Sequence, residues 1–240
     1  MASISFRKFI RWLPDEAGEP TSTLVLTSPE KRFVDIRVIL EEGGDSLGDG
    51  EEVLPLGRLD WAMAGTSSST AISDGHSLSR WRHWIDSRAV DAPPDEGHMY
   101  AQPDGLSTLE KGRMTNPATG KVTDYEEMWF DPPPKATGGD KAVCAVLTME
   151  DEERGSKGML VRLGEWAQVF VRDGPGEAHL VAERWEWRGD DGKGWRRRVR
   201  LGDKDRGLPC EDVLGAAEVK LHEEFTAGGD VWKVVEVAEL

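Results

Sequence analysis

The sequence predicts an all-β protein built as two tandem antiparallel β-barrels, the product of an internal duplication. Three observations carry that expectation. Apolar residues fall in short runs, many of them alternating with polar ones, as half-buried strands require. Clusters of Gly, Asp and Pro interrupt these runs at short intervals, which is the turn chemistry of a sandwich or barrel. Tryptophan-bearing segments recur in the same order in the two halves of the 240-residue chain.

The elements follow in order. LVLTS (Leu24–Ser28) and FVDIRVIL (Phe33–Leu40) read as two strands joined across SPEKR, with Val34, Ile36 and Val38 on one face and Asp35 and Arg37 on the other. RLDWAMAGTSSST (Arg58–Thr70) reads as a strand running into a polar loop. It lacks the GxSxG frame of a nucleophile elbow and has no glycine–lysine pair for phosphate. KAVCAVLTM, MLVRLGEWAQVFV, HLVAERWEWR, WRRRVRLG and VWKVVEV repeat the strand pattern in the second half. RWEWRGDDGKGWRRRVRL reads as a hairpin around a Gly-rich turn. Helical periodicity is weak, with Pro209–Phe225 the best candidate through Leu214, Ala217 and Leu221.

The repeat rests on three matches. Trp61 in DWA answers Trp166 in EWA at an offset of 105. Trp81 in RWRHW answers Trp185 in RWEW at 104, and Trp129 answers Trp232 at 103. The boundary falls in DPPPKATGGD (Asp131–Asp140), a stiff and then flexible connector, giving an N-terminal barrel at 1–133 and a C-terminal barrel at 138–240. Closing each sheet into a barrel removes edges that would otherwise invite aggregation.

Composition narrows the function. The 45 acidic residues against 30 basic give a net charge of −15, which repels nucleic acid and anionic membranes and suits a basic partner or simple solubility. No run approaches the ~20 apolar residues of a membrane span, so no membrane insertion is expected. MASISFRKFIRWLPDE is too short in its apolar part, and too charged, for a secretory signal. Cys144 and Cys210 form no CxxC, which fits buried thiols in a reducing compartment, the cytoplasm or nucleus.

LDWAMAGT, the HWIDS segment (His83–Ser87), YEEMWFDP (Tyr125–Pro132), the LVRLGEWAQVF segment (Leu160–Phe170) and the C-terminal DVWKVVE resemble, in order, matching segments of the fungal Hri proteins. The resemblance runs from near residue 56 to the C-terminus. It implies two lipocalin-like (calycin-type) β-barrels in tandem and a location in cytoplasm and nucleus. It also implies protein partners: a casein kinase I homologue, and a component of the endoplasmic-reticulum translocation machinery. It supplies no catalytic residues.

The candidate site residues are few. An interior-facing set of Trp61, Met63, Trp81, Trp166 and Trp185, with Val169 and Trp187, is expected to fill the barrels, since side chains just fit inside about eight strands. The alternative is a hollow barrel that carries a small apolar ligand. Arg196, Arg198 and Arg200 alternate as an exposed basic stripe, and a patch for an acidic or phosphorylated protein segment is the functional reading of it. Ser67, Ser68, Ser69 and Thr70 are clustered hydroxyls open to phosphorylation. His76, His83, His98, His179 and His222 show no i, i+4 zinc spacing, and the acidic clusters Met149–Glu153 and Glu41–Glu52 read as solvated loops rather than calcium sites. No metal, cofactor or catalytic set is expected. The leading expectation is therefore a non-enzymatic protein acting through protein contacts, with homodimerisation through an exposed sheet face. A ligand carrier is the rival, and a hydrolase or isomerase on the same barrel a weaker one.

Overall fold

The structure is a computed structural model, and it describes residues 1–41, 47, 50, 52–174, 179–189 and 194–240. Most of the acidic insertion and the tip of the RWEWRGDDGKGWRRRVRL turn lie outside the described residues. The chain is nearly all β. The first unit is a closed eight-stranded antiparallel barrel, a meander of β1 (Ser3–Trp12), β2 (Thr21–Thr27), β3 (Arg32–Ile39), β4 (Leu59–Ser73), β5 (His76–Asp86), β6 (Asp95–Ala101), β7 (Ser107–Thr115) and β8 (Val122–Phe130). The last strand returns to the first, with Phe6 opposite Phe130 and Trp12 opposite Tyr125.

The second unit is a curled seven-stranded half-barrel of β9 (Val143–Asp151), β10 (Ser156–Leu163), β11 (Trp166–Asp173), β12 (Leu180–Trp187), β13 (Trp195–Gly202), β14 (Glu224–Ala227) and β15 (Asp230–Glu239). It too is a meander whose last strand pairs with its first, β15 on β9. The expected helix at Pro209–Phe225 shrinks to one turn, α1 (Cys210–Gly215). Among the described residues no helix is long and apolar enough to cross a membrane.

Strand parity explains how the units dock. In FVDIRVIL the apolar face, Val34, Ile36 and Val38, points out of the barrel. There it meets Cys144, Val146, Val161 and Phe170 on the outer face of the second sheet, in one cluster of fully buried side chains. The inner face of the second sheet is covered by its own cluster, in which Trp185, Trp232 and the α1 residues Val213 and Leu214 are packed together. This cluster occupies the interior of the second unit.

Two side chains clasp the units together through main-chain oxygens and the Ser22 hydroxyl. The Gln168 amide donates to Leu24 O (2.9 Å) and Val34 O (3.0 Å) of the barrel. Arg184 donates to Gln168 Oε1 (2.8 Å), Ser22 Oγ (2.8 Å) and Ile36 O (2.7 Å).

The tryptophan matches divide. Trp129 and Trp232 both sit on the last strand of their unit, and both face its interior. Trp61 lies on the fourth strand of its unit and Trp166 on the third of its own; Trp81 and Trp185 likewise fall on the fifth and fourth. The acidic–Trp–Ala text marks the start of a strand, not its place in the sheet. GTSSST is not a loop: β4 runs through it to Ser73, paired along its length with β5.

A hollow barrel with a charged plug

The first barrel is hollow. A cavity of about 660 Å³ occupies its interior, within the ~300–1,000 Å³ range of small-ligand sites. This corrects the expectation of a filled barrel. Tryptophans line the wall rather than plug it, and several inward positions carry small or polar residues: Ser3, Ser5, Thr27, Asp35 and Gly97. Of the candidate interior set, Trp61, Met63 and Trp81 border the cavity. Trp166 does not. It stands on the opposite face of its sheet, edge-on to Phe6 at 5.5 Å between ring centroids, because even-numbered positions of β11 turn toward the barrel's outer wall. Trp185 belongs to the filled interior of the second unit, where its N–H donates to Glu183 Oε2 at 2.8 Å.

Sequence reasoning missed the polar half of this site. Phe33, Tyr125 and Trp129 join the aromatic wall, and Asp35, Arg37, Glu110 and Glu127 sit below them. A mixed ion network closes the end of the barrel away from the mouth. Arg7 Nη1 donates to Glu127 Oε1 at 2.5 Å and Arg7 Nε to Glu19 Oε2 at 2.8 Å. Arg37 donates through Nε and Nη2 to Asp35 Oδ2 (3.0 and 2.9 Å) and reaches Glu127 Oε1 at 3.4 Å. Glu110 receives Tyr125 O–H on Oε1 (2.6 Å) and Trp129 N–H on Oε2 (2.9 Å).

Two glycines make the room. A Cβ at Gly97 would lie 2.5 Å from Glu110 Oε1, and one at Gly112 would lie 2.4 Å from the Tyr125 hydroxyl. The signal available in sequence was the charged alternate face of FVDIRVIL: a strand apolar on one side and charged on the other hides its charges when the apolar side is not the interior.

Burial dominates the electrostatics. It pushes the Glu110 carboxyl up to about 7, helped by the nearby charge of Glu127 and opposed by the Tyr125 and Trp129 hydrogen bonds. It raises Asp35 as well, against the pull of Arg37. It works against the charge of Arg37, but Asp35 and Glu127 more than compensate and hold that guanidinium firmly protonated. Beside the wall, His83 is likewise penalised by burial, yet its contacts with Asp86 (2.8 Å from Nδ1) and Asp95 (3.5 Å from Nε2) raise it to about 9. Asp86 also accepts the Trp61 indole N–H at 3.0 Å, which fixes that ring against the cavity.

The other candidates scatter. The basic stripe is broken by a β-bulge in β13, where Arg184 opposes Val199 and Trp185 opposes Arg197. The extra residue shifts parity. Arg196 is exposed and Arg198 half-buried near Glu186, but Arg200 is buried and bound to Glu183 at 2.9 Å. Ser68, Ser69 and Thr70 are exposed on β4 and Ser67 is half-buried there. His76 and His98 meet at 3.1 Å on the surface. Among the described residues no cluster of three or more His, Cys, Asp or Glu side chains could hold a metal, and both cysteines are buried and unbridged.

Comparison with known proteins gives two findings. A family model described as Protein HRI1 matches residues 3–236. A crystal structure of an uncharacterized protein from Saccharomyces cerevisiae shares the fold at a TM-score of 0.78, with 19% sequence identity over 99% of each chain. Among curated proteins, no sequence match was found.

Proposed function

The chain belongs to the Protein HRI1 family, and from that premise we propose that it is a non-enzymatic binding protein whose first barrel takes a small amphipathic organic molecule. The cavity carries this reading: about 660 Å³ of space, walled by indole and thioether side chains and ending in buried, hydrogen-bonded charges. Such a lining binds an apolar body by area and orients a polar end by its few fixed groups. The ion network at the closed end is held by partners within the barrel, so the guest meets a wall already in place, and little of its binding free energy is lost to ordering the site.

N-phenyl-1-naphthylamine, a neutral apolar fluorophore, tests the reading. The chain should bind it saturably, one to one, with energy transfer from the wall tryptophans. A Met99→Trp variant, which fills part of the space, should fold and bind at least several-fold more weakly. Absence of saturable binding, or equal binding by the filled variant, would refute it.

The partners implied by the family resemblance, a casein kinase I homologue and a translocation component, are a separate proposal. They engage the outer surface and leave the cavity free. Affinity capture of the kinase by the purified chain tests it.

A further inference from the structure

The charges inside the first barrel are unevenly matched. Five side-chain carboxylates line the cavity: Asp35, Asp95, Glu110, Glu127 and Asp131. Two cationic side chains face them, with the Met1 ammonium beside the first. Lys31 sits at the mouth, where its ammonium donates to Met1 O at 3.1 Å, and Arg37 lies deep.

Arg37 has no hand to offer a guest anion. Its Nε and Nη2 are turned to Asp35 Oδ2 and its Nη1 to Glu127. Arg7, behind it, is likewise occupied by Glu127, Glu19 and Thr21. A carboxylate or phosphate head would therefore enter beside Glu110 and Glu127 and meet no unoccupied guanidinium in that network. Like charge there disfavours such a head.

One carboxylate oxygen in the cavity wall is covered and lacks a donor. Asp35 is 3% exposed, and while its Oδ2 is held by Arg37, its Oδ1 has no hydrogen-bond partner among the described residues. A buried carboxylate oxygen left without a donor is costly, and the matching guest group is an N–H donor, best a charged one. The aromatic wall agrees with a cation. Trp81 and Trp129 present indoles to the cavity, whereas the Trp61 ring is already covered by Arg37 and Arg88, at 5.1 and 4.2 Å from its centroid. A cation would also draw the lifted Glu110 carboxyl back to its ionised form.

We propose that the guest of the barrel is an amphipathic amine: a protonated primary ammonium on an apolar chain or ring, its N–H directed to Asp35 and its charge balanced by Glu110 and Glu127. This rests on the reading that the barrel takes a guest at all. The source of the amine is not specified by the site; the ammonium and its apolar body are.

The test uses the full-length chain loaded with N-phenyl-1-naphthylamine. The probe is displaced at pH 7, below micelle formation, by three ligands with the same tail: decylamine, decanol and decanoic acid. Decylamine should displace it about tenfold or more below the concentration needed for decanol, as a charge-assisted hydrogen bond implies, and decanoic acid should be the weakest. An Asp35→Asn variant, which removes the charge and replaces one of the two carboxylate oxygens by an N–H donor, should lose the amine preference while decanol displacement stays within about twofold.

Should Asp35→Asn fail to fold, as judged by thermal melting, Glu110→Gln supplies the second measurement and should narrow the preference by several-fold. Equal or better displacement by the alcohol or the acid, or an undiminished amine preference in the variants, overturns the amine proposal and leaves the hollow-barrel reading standing. Failure of the probe itself to bind removes the reading on which both depend.

Discussion

Replacing Gln168 by leucine should loosen the joint between the two units. Gln168 is fully buried, and the substitution nearly conserves volume. It removes two hydrogen bonds to the barrel's main chain and the acceptor for Arg184 Nε. Each lost bond is worth about 1 kcal/mol net, and a buried charged donor left without an acceptor costs about 1–3 kcal/mol more. Arg184 keeps Ser22 and Ile36 O, so its stranding is partial and the lower part of that range applies. The expected loss is about 3 kcal/mol, or roughly 6–12 °C in Tm for a chain of this length.

Burial has already pulled Arg184 down to about 10, so its charge is carried at a cost near neutrality. Removing it together with its partner should then be cheaper than the sum of the parts. Urea unfolding followed by tryptophan emission, on Gln168→Leu, Arg184→Met and the double variant, measures this, and an unchanged slope shows that both units still unfold together. The double variant should fall short of additivity by about 1 kcal/mol or more. A Gln168→Leu chain within about 0.5 kcal/mol of the parent, or strictly additive losses, would refute the clasp.

Two further outcomes follow from the same geometry. His83 titrates near 9 in the fold against an ordinary 6.5, so it favours the folded chain fully below about pH 6.5, and that contribution fades as pH rises through 9. In His83→Gln the decline of the urea midpoint between pH 6.5 and 9 should flatten, and parallel curves for the two chains would deny His83 the role. A Cβ at Gly158 would lie 2.4 Å from the Trp232 ring, which is fully buried, so Gly158→Ala should cost about 1–3 kcal/mol in denaturant unfolding. Gly18→Ala, with nothing within 4 Å, is the control and should leave the midpoint unchanged.

Much of the architecture was legible in local pattern. The alternation of FVDIRVIL, the Ser-Pro turn before it and the Gly-rich turn after RWEW each specify a strand or hairpin from neighbours in sequence, and the structure has them as β2, β3, β12 and β13. What sequence withheld was which side of a strand is inside. Val34 and Asp35 are both buried, one against the second sheet and one in the barrel, and alternation alone treats the two faces alike. The cavity was hidden for the same reason. Its charged end joins Arg7, Arg37, Glu110 and Glu127 from four different strands, and no spacing along the chain brings them together. The basic stripe failed on one residue: a single bulge reverses every side chain beyond it. The Ser/Thr run carries weak β-propensity, and pairing with β5 overrode it.

Apart from the Ser22 hydroxyl, the clasp at the joint grips carbonyl oxygens of β2 and β3, and takes hold of no apolar side chain there. Every residue type offers the same oxygen. Substitution can therefore sweep through the outward positions of those strands, within limits of size, while the handhold stays where it was. A fold joined in this way tolerates wide drift in its text, and a counterpart that keeps the shape at 19% identity is what such tolerance permits.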